Sequence, residues 1–136
     1  IVLVVTNLEK KPCFSIEERV ALIRKTTQGI QNVEVDGFCG LLVDYVREKN
    51  ASAIVKGLRA MSDFEYEFQM ALANKILLPY TETVFLTTNN ENMYLSSSMV
   101  KQVGQFGGDI SEFVPRCIVD DVAKKIIDRR RKPNDN

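Results

Sequence analysis

Two cations flank a glycine in IVKGLRAMSDFEYEFQMALANK, residues 54–75, where an apolar run gives way to an acidic, helix-patterned stretch. Lys56 and Arg59 in that segment, and Lys10 and Lys11 in the earlier TNLEKKP, are groups that hold anions. Ser96, Ser97 and Ser98 make a third such place. A serine run opening a helix offers hydroxyls, N–H groups without intrahelical partners and the positive end of the helix dipole. Taken together, these residue types suit a phosphate-containing ligand. A Ser or Cys nucleophile activated by histidine is excluded within this sequence, which has no histidine. Neither a Walker A loop nor a GxGxxG fingerprint occurs.

Each component also has a plainer reading. Lys10 and Lys11, just before Pro12, would solvate a turn, and Gly57 would serve a turn that needs positive φ. A serine triplet is a common helix cap. Asp63 and Glu67 stand four apart on one helical face and would pair with Arg59 or Lys56. Phe64, Phe68, Leu72 and Ile76, at four-residue steps, read as a core stripe. The joint pattern carries more weight than its parts, because it depends on which elements bring the segments together.

Those elements follow from periodicity. IVLVVTN is a continuous β-branched run, predicted to be a strand covered on both faces. SIEERVALIRKTTQG follows with Ser15 and Glu18 at capping-box spacing, and with Ile16, Val20, Ile23 and Thr27 on one helical face. NVEVDGF alternates as a short strand, GLLVDYVREKN returns to helical spacing through Leu42, Tyr45 and Val46, and SAIVKG is the next buried strand. A long helix is predicted from Ser62, with Ser62 as its N-cap, and ETVFLTT is the last strand. The polar loop NNENMY leads to a short helix that Gly107 and Gly108 would end. After Pro115 a final helix carries Ile118, Val122 and Ile126 as one apolar stripe. Strands alternating with helices at this spacing predict an α/β domain with a parallel sheet. Ligands of such sheets bind beyond the carboxyl ends of the strands, where TNLEKKP, KGLR and NNENMYLSSS would converge.

Bulk composition narrows the partners. The 136 residues fit one domain, residues 1–128, followed by a polar tail, residues 129–136, expected to be frayed. Eighteen basic residues balance eighteen acidic ones, so no global field draws nucleic acid or an anionic membrane, and no apolar run is long enough to span a bilayer. Three widely spaced cysteines, Cys13, Cys39 and Cys117, form neither a zinc knuckle nor a disulfide framework. They read as reduced, mostly structural thiols of a cytoplasmic protein, with Cys13 and Cys39 as packing residues.

The segments KKPCFSIEERV, KGLRAMSDFEYEFQMALANK, LSSSMVKQV and GGDISEFVP, in this order, resemble the bacterial phosphopantetheine adenylyltransferases from Ile1 to about Ile127. The resemblance implies a Rossmann-like, dinucleotide-binding fold with a parallel β-sheet flanked by helices, and a homohexamer built as a dimer of trimers. It implies transfer of AMP from ATP to 4′-phosphopantetheine, giving dephospho-CoA and pyrophosphate, with Mg²⁺ accompanying ATP and no metal site of the protein's own. Coenzyme A is the implied feedback ligand.

Carried over by position, Lys10, Leu42 and Lys56 match substrate contacts, and Lys56 stands where the family usually has arginine. Gly57, Leu58, Arg59, Glu67, Asn92, Met93, Tyr94, Leu95, Ser96, Ser97 and Ser98 match the ATP site. Lys10, Arg59, Ser97 and Ser98 are the implied stabilisers of the transition state. The family's T/H-x-G-H segment, with a threonine and a histidine at the ATP phosphates, is expected upstream of Ile1. Two other readings stand beside this one: a related nucleotidyltransferase with another small phosphate substrate, or a non-catalytic protein that binds coenzyme A or nucleotide.

Overall fold

Strand β1 (Val2–Val5) pairs in parallel with β2 (Val35–Phe38), in register from Val2 opposite Val35 to Val5 opposite Phe38. Parallel neighbours cannot be joined by a tight turn, and helix α1 (Ile16–Thr27) supplies the crossover. Its start is fixed as the sequence predicts. The Ser15 hydroxyl accepts the Glu18 N–H, and the Glu18 carboxylate accepts the Ser15 N–H at 2.8 Å. Val20 turns inward from α1 onto Val4 and Val35, with Ile16 and Ile23 at its sides. The fit is tight at Gly37, where a Cβ would lie 2.6 Å from the Ile16 Cγ2. The glycine lets helix and strand approach that closely.

The structure, a computed structural model, describes residues 1–7 and 11–131, the side chains of residues 62, 130 and 131 excepted. The chain forms two compact units, one made of Ile1–Cys39 with the chain from Leu95 onward, the other of Gly40–Tyr94. The second unit holds helix α2 (Leu42–Glu48), strand β3 (Ala53–Leu58), helix α3 (Met61–Leu77) and strand β4 (Glu82–Thr87). β3 and β4 pair in parallel from Ala53 opposite Glu82 to Leu58 opposite Thr87. Their core is Val43, Val46, Ile54 and Leu78. Asn50 closes α2 in the left-handed region at φ 49°, which Asn tolerates better than most residues.

The first unit is completed by α4 (Ser97–Gln105) and α5 (Val119–Arg131), which pack through Ile110, Val122 and Ile126. Gly107, at φ 81°, ends α4: its N–H reaches the Gly104 carbonyl and the Gly108 N–H the Val103 carbonyl, the paired bonds of a Schellman motif. α5 continues through Arg131, into the stretch read as a tail, and residues 132–136 lie outside the described residues. Among the described residues all strand pairing is parallel and helices flank it, the α/β architecture that the alternating sequence predicts.

Three expectations are corrected. β1 is not fully covered: Val4 is buried under α1, but Leu3 and Val5, which alternate onto the opposite side, are only half-buried, and Val2 at the start of the strand is exposed. Ser62 does not cap α3, which starts one residue earlier behind Ala60, a residue with no side-chain cap. The Phe64, Phe68, Leu72 and Ile76 stripe is not core. Phe64 stacks on Phe68 at 5.4 Å and meets Phe85 edge-on at 5.9 Å, while Phe68 is 43%, Leu72 51% and Ile76 80% exposed.

Candidate functional site

β3 delivers the first group of candidates. Lys56, Gly57 and Leu58 occupy its last three positions, opposite Phe85, Leu86 and Thr87 of β4. The Thr88 N–H donates to the Leu58 carbonyl at 2.9 Å, so the chain leaves both strands at one carboxyl edge. Arg59 follows there. On the β4 side the exit runs into a 3₁₀ turn, Asn90–Asn92, closed by the Asn92 N–H on the Asn89 carbonyl at 3.0 Å. Met93 and Tyr94 follow, both exposed.

The two cations of this edge are held by carboxylates of α3. The Asp63 carboxylate accepts from the Arg59 Nε at 3.0 Å, from its Nη2 at 3.4 Å and from its backbone N–H at 3.3 Å. The Arg59 side-chain hydrogen bond is the main cause holding the Asp63 carboxyl below its usual range, and burial opposes it. The Glu67 Oε2 lies 3.2 Å from the Lys56 Nζ, with both side chains about two-thirds or more shielded. The i,i+4 spacing noted in the sequence thus becomes two separate ion pairs.

Gly57 does not have positive φ, and a Cβ built on it meets no described atom within 4 Å. The turn-forming reading of this glycine is therefore overturned. What it provides is an open face beside the strand. Leu42, the first residue of α2, is partly buried against the core of Val43, Val46, Ile54 and Leu78.

In the other unit, Leu95 and Ser96 precede α4. The Ser96 hydroxyl accepts the Met99 N–H at 3.1 Å as N-cap, and Ser97 and Ser98 begin the helix with exposed side chains. One serine is thus spent on the cap, and two present hydroxyls at the positive end of the helix. Ser98 also borders a cavity of about 270 Å³ with Lys101, Gln102, Gln105, Cys13 and Arg129. The sequence reading passed over Lys101 and Arg129. Lys101 follows Ser98 by three positions, one helical turn, and this spacing could have found it. Arg129 belongs to a different helix, and nothing in the linear pattern ties it to Ser98.

The predicted residues are thus divided. Leu42, Lys56, Gly57, Leu58, Arg59, Glu67, Asn92, Met93 and Tyr94 lie in Gly40–Tyr94, where the carboxyl edge gathers Lys56, Arg59 and the start of the Asn90–Asn92 turn. Leu95, Ser96, Ser97 and Ser98 lie in the other unit, and Lys10 lies outside the described residues. An edge with two cations, an open strand face and adjoining amides suits a polyphosphate. A reaction there would be driven by positioning and charge stabilisation, with no protein nucleophile.

The model of the cytidylyltransferase-like family matches residues 1–103. The phosphopantetheine adenylyltransferase of Alkaliphilus metalliredigens is 58% identical over 125 residues, 92% of this chain and 80% of the relative. That of Caldanaerobacter subterraneus is 56% identical over 132 residues, 97% and 80% of the two chains. The corresponding protein of Heliobacterium modesticaldum is 53% identical over 131 residues, 96% and 78%.

Proposed function

The chain belongs to the phosphopantetheine adenylyltransferase family, and we propose that the carboxyl edge of β3 and the start of α4 hold the substrates of that reaction. It is a nucleotidyltransferase of coenzyme A biosynthesis that reversibly moves AMP from ATP to 4′-phosphopantetheine, giving dephospho-CoA and pyrophosphate. An oxygen of the substrate phosphate attacks the α-phosphorus of ATP in line. The new P–O bond forms as the bond from the α-phosphorus to the α,β-bridging oxygen breaks, and the electron pair leaves with pyrophosphate.

Arg59 reaches the triphosphate in this reading, and Lys56 with Lys10 neutralises the attacking phosphate. Ser97 and Ser98 join Lys10 and Arg59 in stabilising charge on the equatorial oxygens of the transition state. Gly57, Leu58, Glu67, Asn92, Met93, Tyr94, Leu95 and Ser96 line the nucleotide, and Leu42 touches the pantetheine arm. The observation that carries these roles is the placement of Lys56 and Arg59 at the carboxyl end of a parallel strand, each already ordered by a carboxylate.

Mg²⁺ belongs to the ATP substrate, bound by phosphate oxygens and water, where it offsets triphosphate charge. A nucleotide-borne ion suits a donor set in which Asp63 and Glu67 are engaged with Arg59 and Lys56. Coenzyme A, which shares the pantetheine and adenylate halves of the product, is the feedback ligand of the same site. The two units act as one nucleotidyltransferase domain, in a homohexamer built as a dimer of trimers. The apolar stripe exposed on α3 supports assembly. A cytoplasmic location accords with three free thiols, Cys13, Cys39 and Cys117, among the described residues.

The test is pyrophosphate release by the full enzyme, measured with each substrate varied in turn. Release should require both ATP and 4′-phosphopantetheine. Arg59→Ala should lower kcat/KM by about 10²–10³-fold, and Lys56→Ala should raise the KM for 4′-phosphopantetheine. Release that ignores 4′-phosphopantetheine would overturn the substrate assignment, and an unimpaired Arg59→Ala the site.

A further inference from the structure

Asp63 is an acid at this edge to which no ligand contact is assigned, yet it makes three hydrogen bonds to Arg59. Its two carboxylate oxygens take the Nε and Nη2 of the guanidinium, and one of them also takes the backbone N–H of the same residue. One side chain thus fixes both where Arg59 departs from the strand and where its charged fork ends. The acid itself is anchored. Asp63 sits in the first turn of α3, and its own N–H is bonded to the Ala60 carbonyl at 3.1 Å.

We propose that Asp63 is a positioning residue that presents the Arg59 guanidinium to the nucleotide phosphates, and this rests on Arg59 being a phosphate-binding group. An arginine side chain has four rotatable bonds, and ordering it when ligand arrives costs binding free energy. A planar guanidinium carries five donors, so it can keep a carboxylate at Nε and Nη2 and still donate to an anion. Holding the fork in advance removes that ordering cost from the step that binds the triphosphate. It also keeps Arg59 aimed as charge develops on the phosphorus.

A purely structural role is the competing explanation. An acid in the first turn of a helix favours the dipole, and this one also closes the turn before Ala60, which has no side-chain cap. Asp63→Asn separates the two roles. Asparagine still accepts the Arg59 backbone N–H through its amide oxygen, but it loses the charge and the two-oxygen grip on the guanidinium.

The experiment is a double-mutant cycle on the full enzyme with Asp63→Asn, Arg59→Ala and the pair. It reads the KM for ATP, kcat from pyrophosphate release, the ATP dissociation constant by calorimetry, and Tm. Asp63→Asn is expected to keep Tm near that of the parent, to weaken ATP binding about tenfold, and to have no further effect when Arg59 is already alanine. Asp63→Glu should recover part of the loss. If Arg59→Ala impairs the enzyme while Asp63→Asn does not, or if the two losses simply add, Asp63 does not act through Arg59 and the inference falls alone. If Arg59→Ala is silent, the site assignment falls and takes the inference with it.

Discussion

Gly57 has room beside it. It lies extended in β3, and the direction in which a side chain would leave it is empty among the described residues. Glycine weakens a strand, so a strand glycine with nothing packed against its missing Cβ favours a ligand that needs the space. Gly57→Val should leave Tm unchanged or slightly raised, because valine suits a strand. It should raise the KM for ATP about tenfold or more, as steady-state kinetics with calorimetry for binding would register. A fall in Tm with unaltered KM would count against the nucleotide using that face. The chemical identity of this edge was legible from residue types alone, since KGLR followed by acids at i,i+4 spacing predicted the Asp63 and Glu67 pairs. The backbone state of Gly57 was not. Glycine is compatible with both extended and left-handed backbone, so its letter carries no sign of φ.

Helix ends were read well and helix burial less so, for one reason. Caps are local: Ser15 with Glu18, and Gly107 with Gly108, act within a few residues of chain. Where the expected cap failed, α3 starts behind Ala60, whose carbonyl accepts the Asp63 N–H at 3.1 Å and the Phe64 N–H at 3.2 Å. Packing between α4 and α5 depends on Gly104, where a Cβ would stand 3.1 Å from the Ile126 Cδ1, and on Ile126, 2% exposed. Ile126→Ala should cost about 2–5 kcal/mol in urea unfolding, whereas a loss below about 1 kcal/mol would mean that α5 contributes little to the core.

α5 is also tied to α1 by ion pairs, Lys125 with Glu18, and Lys25 with Asp121 at 2.8 Å. The Glu18 carboxyl is held below its usual range, first by the Lys125 hydrogen bond and then by the Ser15 N–H. The native state therefore binds fewer protons than the unfolded chain near pH 4. The contribution is complete above the unfolded carboxylate value and fades as pH falls through the lower folded one. Lys25, raised chiefly by its hydrogen bond to Asp121, contributes fully below the unfolded lysine value and loses its contribution as pH rises through the higher folded one. Tm should thus be flat from about pH 5 to 9 and decline on both sides. Glu18→Gln should flatten the acid limb in thermal melts, and an unaltered limb would remove Glu18 from that account.

At the scale of the molecule the exposed stripe of α3 stands out. Phe68, Leu72 and Ile76, with Met61 at 76% and Tyr80 at 68% exposure near the helix ends, place large apolar side chains in water. The sequence showed that this face is apolar, but periodicity cannot tell whether its cover comes from the same chain or from another copy. Ile76→Glu should dissociate or shrink the proposed homohexamer in light scattering while the far-ultraviolet spectrum stays unchanged. An assembly that keeps its mass would place the subunit contact elsewhere.

The division of the chain into Ile1–Cys39 with the part from Leu95 onward, interrupted by Gly40–Tyr94, also bears on the order in which a ribosome delivers it. The interrupting unit has all of its residues once Tyr94 is made. α1, translated long before, waits for partners at 96 and 107 positions' remove. At 5–20 residues per second, the stretch from Tyr94 to Lys125 takes roughly 2–6 s to emerge, far longer than closing a hairpin or a helix requires. The unit that is begun second is therefore the first that can be finished, and it can take shape while the other still lacks α4 and α5.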